Sequence, residues 1–145
     1  MYRIPRYKIS LVKDGNVMTE KKSISSPQDA VPILEAYLEG SDREHFVILL
    51  VDTKNHIIGI HTVSIGSLNQ SIVHPREIFK PACLCNAACI ILAHNHPSGD
   101  PSPSMEDLEV TKRLVDAGKI LGIAILDHIV IGDDTFFSFK EKGLI

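Results

Sequence analysis

Three apolar runs constrain the fold of this chain more than any other feature of its sequence. They occupy residues 46–51 (Phe-Val-Ile-Leu-Leu-Val), residues 89–93 (Cys-Ile-Ile-Leu-Ala) and residues 123–131, the last interrupted by Asp127-His128. Short runs of this kind, bounded by polar residues, are typical of buried strands. Segments whose apolar residues recur at helical spacing separate these runs. Because strands and helices alternate along the chain, we predict an α/β fold with a mixed β-sheet flanked by helices.

Three helices are predicted around these runs. The first starts at Ser26-Pro27, a capping serine followed by a first-turn proline, and ends near Gly40. The second covers residues 75–88 and is bent near Pro81, and the third covers residues 104–117. The inner side of the third helix is predicted to comprise Leu108, Thr111, Leu114 and Val115, with Gly118 near its end.

Hairpins and one short strand complete the prediction. Residues 57–65 return after a turn that follows the first apolar run, which predicts a hairpin. Residues 2–12 alternate loosely between apolar and polar, and the turn at Asp14-Gly15-Asn16 predicts a second hairpin. A last strand is predicted over residues 136–139. We expect one domain over residues 1–145.

Composition narrows the function classes. The net charge of −3, with no basic cluster beyond Lys21-Lys22, argues against the basic face that nucleic-acid binding requires. No run of 18 apolar residues is present, so no membrane span or membrane partner is expected. The first residues are basic but lack the apolar core of a signal peptide, which favours a cytoplasmic protein.

The three cysteines, Cys83, Cys85 and Cys89, lie within seven residues of one another. Their odd number does not suggest a disulfide framework, and a zinc site would need a fourth ligand and a different spacing. Free cysteine behaves as a small buried hydrophobe, and Cys85 and Cys89 lie four apart in a segment predicted to be helical, so we expect the cysteines to pack in the core.

The strongest chemical signal is His94-x-His96 followed, after seven residues, by Ser104-x-x-Asp107. If the strand before His94 continues through His96, both imidazoles project from one face and can bind one ion. A loop rich in proline and glycine then lets the next helix add Asp107. Two histidines and a carboxylate suit zinc with a fourth position left open. Ser104 and Asp107 are equally typical of an ordinary helix cap, so that interpretation stays open.

These residues resemble the JAMM motif of the MPN-domain metalloproteases, and the longer string is similar to the bacterial RadC-like proteins. Asn95 stands where JAMM proteases usually carry serine or threonine, although asparagine is normal in the RadC branch. No helix-hairpin-helix region, which many RadC proteins carry, is expected in this chain. The similar stretches are His74-Pro75-Arg76-Glu77, residues 93–99, Pro103-Ser104, residues 126–132 and residues 138–143.

The resemblance implies an MPN/JAMM fold of cytidine-deaminase-like architecture and a zinc hydrolase that cleaves peptide or isopeptide bonds. His94, His96 and Asp107 would bind Zn²⁺, and Ser104 would donate a hydrogen bond to the oxyanion. Glu44, just before the first apolar run, matches the place of the family's general base, while Glu77 is the competing candidate. His128 and His74 are weaker candidates as ligands, and we expect His128 to be a satisfied histidine at a strand start.

Two other functions stay open beside the enzyme. One is a non-catalytic MPN interaction module that binds the metal without using it. The other is a DNA-repair-associated RadC factor, for which the acidic net charge gives little support. The protein or peptide substrate of the enzyme is not identified by the sequence.

Overall fold

The computed structural model describes residues 1–66 and 73–145. Two elements on the N-terminal side of the first hairpin are a 3-10 turn, Pro27–Ala30, and helix α1, Val31–Leu38. The remaining helices are α2 (Pro75–Leu84) and α3 (Met105–Leu121). The strands are β1 (His45–Val51), β2 (Ile57–Ile65), β3 (Cys89–Asn95), β4 (Ala124–Ile131) and β5 (Phe136–Ser138).

The strands form one mixed sheet in the order β2-β1-β3-β4-β5, which confirms the predicted α/β class. β1 is antiparallel to both β2 and β3, β3 is parallel to β4, and β5 returns antiparallel to β4. The three apolar runs therefore become the three central strands. Because each has a neighbour on both edges, their backbone groups are hydrogen-bonded within the sheet.

Helices cover both faces of the sheet, which explains why most residues of the central strands are apolar. Alternate residues of β1 point to opposite sides. Phe46 and Ile48 belong to the core beneath α2 and α3, whereas Val47 and Leu49 belong to the core beneath α1. The sheet is thus buried on both sides, and its polar residues lie in a setting where each needs a partner.

The helix starts follow the predicted caps, but two helix ends differ. Ser26 and Asp29 form a capping box at the 3-10 turn, and Ser104 with Asp107 forms another at α3. α2 ends at Leu84, before the predicted end, so Cys89 is a strand residue and not helical. α3 runs on to Leu121, past the predicted end near Gly118.

A close contact explains why Gly118 does not end α3. A Cβ there would lie 2.4 Å from the carbonyl oxygen of Ile123, so glycine allows the helix to approach the chain that enters β4. The helix ends at Gly122, whose φ of 72° is the left-handed conformation typical of a helix terminus.

The predicted N-terminal hairpin is wrong. Residues 1–22 form no strand, and only Ser23 makes an isolated bridge, with His56 of the turn before β2. Tyr7 and Ile9 are 82% and 76% exposed, so these apolar residues of the segment are not buried against the sheet. An isolated two-stranded hairpin is marginal in water, and none forms here.

The cysteine prediction is correct in part. Cys85 packs at the margin of the core beneath α2 and α3, and Cys89 packs on the opposite side of the sheet. Cys83 is exposed instead, and all three thiols are free. In the part of the chain that the structure describes, no helix has the length and apolarity to span a bilayer. The cytoplasmic location stays a prediction.

Candidate metal centre

The two motif histidines lie at the end of the central strand β3. His94 pairs with Phe46 of β1 and Val130 of β4, so its backbone is held on both edges, and its side chain is completely buried. His96 follows the strand, and its backbone N–H donates to the carbonyl of Ile131 at 2.8 Å. This bond extends the strand geometry by one residue and keeps both imidazoles on one side, as predicted.

The structure brings His94, His96 and Asp107 together. Nε2 of His94 lies 3.0 Å from Nε2 of His96, and each of these atoms lies 3.3 Å from a carboxylate oxygen of Asp107. Tetrahedral zinc with bonds of about 2.0–2.1 Å places its ligand atoms about 3.3 Å apart. The three side chains therefore form a group whose spacing and donor chemistry fit a metal ion.

Asp107 serves the helix cap and the candidate metal group together. Its Oδ2 accepts the backbone N–H of Ser104 at 2.8 Å, and Oγ of Ser104 accepts the backbone N–H of Asp107 at 3.1 Å. The Ser-x-x-Asp pattern is therefore a helix cap, and the carboxylate still has lone pairs available for the candidate metal group. The cap fixes the direction in which Asp107 leaves α3.

Electrostatics in the group favour a carboxylate facing imidazoles. Burial alone would raise the pKa of Asp107, but its contacts with the His94 and His96 imidazoles outweigh burial and hold that pKa well below its usual range. The same contact with Asp107 raises the pKa of His96, opposed by burial. Asp107 thus stays ionised, as a metal ligand must be.

The two histidines are oriented by different partners. Nδ1 of His96 lies 2.8 Å from the backbone carbonyl of Asp100 in the loop between β3 and α3. Nδ1 of His94 lies 2.8 Å from Nε2 of His128, whose Nδ1 in turn lies 2.5 Å from the hydroxyl of Thr111. In both histidines Nδ1 is occupied, so Nε2 is the atom directed at the group.

His128 is a satisfied histidine, as predicted, but the sequence missed its contact with His94. It lies inside β4, not at a strand start, and it is completely buried. Burial lowers the pKa of His128 well below its ordinary value. It is absent from the metal-ligand group and contacts His94 instead. The signal available in the sequence was a histidine within an apolar strand, because a buried imidazole needs hydrogen-bond partners.

Glu44 directly precedes β1, and Asn95 holds the chain on both sides of it. Oδ1 of Asn95 accepts the backbone N–H of His45 at 2.7 Å, and its Nδ2 donates to the carbonyl of Arg43 at 3.0 Å. The negative charge of Glu44 also contributes to the raised pKa of His96. The residue that departs from the usual protease motif therefore braces the segment carrying Glu44.

The other candidates lie apart from this group. Glu77 lies in the first turn of α2, where it forms ion pairs with Arg76 at 3.8 Å and Lys80 at 3.5 Å. His74 caps the same helix, its Nδ1 accepting the backbone N–H of Arg76 at 3.3 Å. Among the described residues, neither belongs to the candidate metal group.

Comparison with known proteins matches residues 24–144 to the family model of the RadC-like JAB domain. A UPF0758 protein of Caldanaerobacter subterraneus subsp. tengcongensis is 57% identical over 86% of this chain and 53% of its own length. One of Desulfitobacterium hafniense is 54% identical over 84% of this chain and 54% of its own length. A UPF0758 protein of Shouchella clausii is 58% identical over 83% of this chain and 52% of its own length.

The chain spans about half the length of the curated relatives it matches. Its organisation as one domain without a helix-hairpin-helix region therefore stays a prediction, and so do the partners of the whole protein.

Proposed function

The chain belongs to the RadC-like JAB domain family, and on that premise we propose that it is a zinc-dependent hydrolase of peptide or isopeptide bonds. The convergence of two imidazole nitrogens and a carboxylate within one buried group carries the proposal. A zinc ion held by His94, His96 and Asp107 would supply a Lewis acid that activates water and polarises a carbonyl. The substrate would be a protein or peptide.

Glu44 is assigned the role of general base, which takes a proton from the attacking water and delivers it to the leaving amine. Two observations support this choice over Glu77. The charge of Glu44 makes the smallest contribution to the raised pKa of His96, and the two Asn95 hydrogen bonds limit the positions that the Glu44 backbone can adopt. Such preorganisation lowers the cost of placing the carboxylate for proton transfer.

Ser104 is assigned the hydrogen bond to the developing oxyanion. Its Oγ accepts the Asp107 N–H, which leaves the hydroxyl proton free to be donated. Loss of one such donor typically lowers the rate by about 10²–10³-fold. Because Ser104 also caps α3, Ser104→Ala is expected to cost about 1 kcal/mol in unfolding free energy as well.

Metal analysis of the purified protein tests the zinc site. We expect about one zinc per chain, which Asp107→Ala removes while the protein stays folded by circular dichroism. Less than about 0.2 zinc per chain in the wild type, with no uptake when zinc is added, would overturn the zinc site.

Cleavage of a panel of peptide and isopeptide substrates tests the reaction. Glu44→Gln should lower the rate by about 10²–10⁴-fold with unchanged zinc content, whereas the matched variant Glu77→Gln should keep wild-type activity. Equal activity of Glu44→Gln and wild type would remove Glu44 from the mechanism. A zinc-loaded wild type that cleaves nothing on the panel would favour the non-catalytic interaction module, while the DNA-associated role stays a prediction.

A further inference from the structure

His128 is a buried polar residue that has no role in the proposed reaction and yet contacts a candidate metal ligand. It lies in the middle of the sheet with Phe139 stacked on its ring at 4.8 Å and the edge of Phe46 at 5.5 Å. Its two nitrogens contact only buried groups, the imidazole of His94 and the hydroxyl of Thr111. Burying an imidazole costs free energy unless both ring nitrogens are hydrogen-bonded. The two hydrogen bonds of His128 meet this requirement, and one of them reaches a candidate metal ligand.

We propose that Thr111 and His128 are positioning residues that hold His94 in the tautomer whose Nε2 lone pair faces the metal. The proposal rests on the proposed zinc site, and it concerns how that site is built. A histidine binds zinc through a nitrogen without a proton, so its tautomer decides whether Nε2 is a ligand. The tautomer is set by the bond that the other ring nitrogen makes.

The direction of the hydrogen bonds follows from the one proton of Thr111. Its hydroxyl donates to the backbone carbonyl of Asp107 at 2.6 Å, so its oxygen is left to accept from Nδ1–H of His128. With its proton on Nδ1, neutral His128 presents Nε2 as an acceptor. It therefore receives Nδ1–H of His94 at 2.8 Å. Nε2 of His94 is then unprotonated and directed at His96 and Asp107.

This chain of hydrogen bonds links two of the three ligands. It begins at the backbone carbonyl of Asp107 and ends at the ring of His94, with Thr111 one helical turn after Asp107 on α3. A shift of α3 would therefore move the Asp107 carboxylate and the support of His94 together. His96 differs, since its Nδ1 uses the backbone carbonyl of Asp100. Side-chain substitutions can thus disconnect the support of His94 and leave that of His96 intact.

Zinc affinity, measured by competition with a chromophoric chelator and no substrate, tests the proposal. Thr111→Val keeps the shape of the side chain but removes the hydroxyl, and His128→Phe removes the acceptor for His94. We expect the zinc Kd to rise about 10-fold in Thr111→Val and about 10–100-fold in His128→Phe. Thr111→Ser restores the hydroxyl and should lie within about threefold of wild type.

Ser138→Ala is the matched control. It also removes a buried hydroxyl next to β4, one that contacts Asp127 rather than His94. We expect it to lower the melting temperature without changing the zinc Kd. If His128→Phe does not fold, the Val and Ser variants at Thr111 still decide the question.

A second readout reports the tautomer directly. ¹⁵N-resolved NMR of the zinc-loaded wild type should show a slowly exchanging proton on Nδ1 of His94, and that proton should be lost or exchange rapidly in His128→Phe. A wild type that binds no zinc overturns the proposed function. A wild type that binds zinc, with the Thr111 and His128 variants within twofold of its Kd, overturns only the positioning role.

Discussion

β3 and the N-terminal segment, residues 1–22, both carry apolar side chains at strand spacing, yet only β3 is a strand. Ile90, Ile91 and Leu92 are completely buried, whereas Ile9 is 76% exposed. β3 is hydrogen-bonded to β1 on one edge and to β4 on the other. The N-terminal segment has no strand, and its last residue, Lys22, accepts a backbone hydrogen bond from Ile57 at the start of β2. Apolar spacing therefore specifies a strand only where neighbouring strands and covering helices exist to use it.

The comparison also explains where a metal group can be built. The backbone of His94 is paired with β1 and β4, and its Nδ1 is hydrogen-bonded to Nε2 of His128, so the ring is held in one orientation. The N-terminal segment offers no comparable support. β3 and the capped start of α3 thus carry His94 and Asp107, and His96 directly follows β3, where its backbone N–H donates to Ile131.

The largest difference between the two regions should appear on truncating an isoleucine in each. Ile91→Ala in β3 leaves a cavity between the sheet and α1, and we expect it to lower the free energy of unfolding by about 2–5 kcal/mol. Urea denaturation followed by circular dichroism measures the change. A cost below about 1 kcal/mol would show that the core refills the space, and would weaken the contrast.

A smaller contrast is expected between two glycines. A Cβ at Gly132 would lie 2.3 Å from the carbonyl oxygen of Gly99, in the loop between His96 and α3, whereas a Cβ at Gly15 meets nothing within 4 Å. Gly132→Ala should cost about 1–3 kcal/mol and weaken zinc binding by displacing that loop. Gly15→Ala should be neutral in both measurements. Equal behaviour of the two variants would contradict the role of the close contact at Gly132.

The pH dependence of the metal-free protein should come from the site. The raised pKa of His96 stabilises the fold fully below its unfolded value of about 6.5, and this contribution is lost as pH rises through the folded pKa. The lowered pKa of Asp107 stabilises above about pH 4 and is lost on acidification.

The melting temperature of chelator-treated protein should therefore fall as the pH rises above 6.5, and His96→Gln should flatten that fall. Zinc affinity should instead rise with pH, because protons compete with the metal for His96. Identical melting profiles of the wild type and His96→Gln would contradict the assignment.

The smallest effect is expected in the N-terminal segment. Ile9→Ala removes an exposed side chain from a segment without strands, so the free energy of unfolding should change by less than about 0.5 kcal/mol. The same urea titration used for Ile91→Ala measures it. A cost above about 1 kcal/mol would mean that this segment packs in solution, and the contrast with β3 would fail.

Much of the fold was predictable because its signals are local. Each of these signals involves only a few neighbouring residues: the three apolar runs, the capping serines Ser26 and Ser104, and the turn before β2. Helix ends were less predictable, since Gly118 serves a close approach to Ile123 and α3 ends at the left-handed Gly122 instead. The prediction of an N-terminal hairpin was wrong because strand pairing depends on two segments together, and the pattern of one segment does not specify it.

The sequence by itself determined the strands of the sheet and the residue types that can bind a metal, since both follow from short-range spacing. Only the tertiary structure decided what surrounds them. Nδ1 of His94 meets His128 across 34 residues of sequence, and Asn95 meets the backbone of His45 across 50. These contacts exist because the sheet order places β1 and β4 on either side of β3. Strand order is set by the packing of the whole core, which no local pattern specifies.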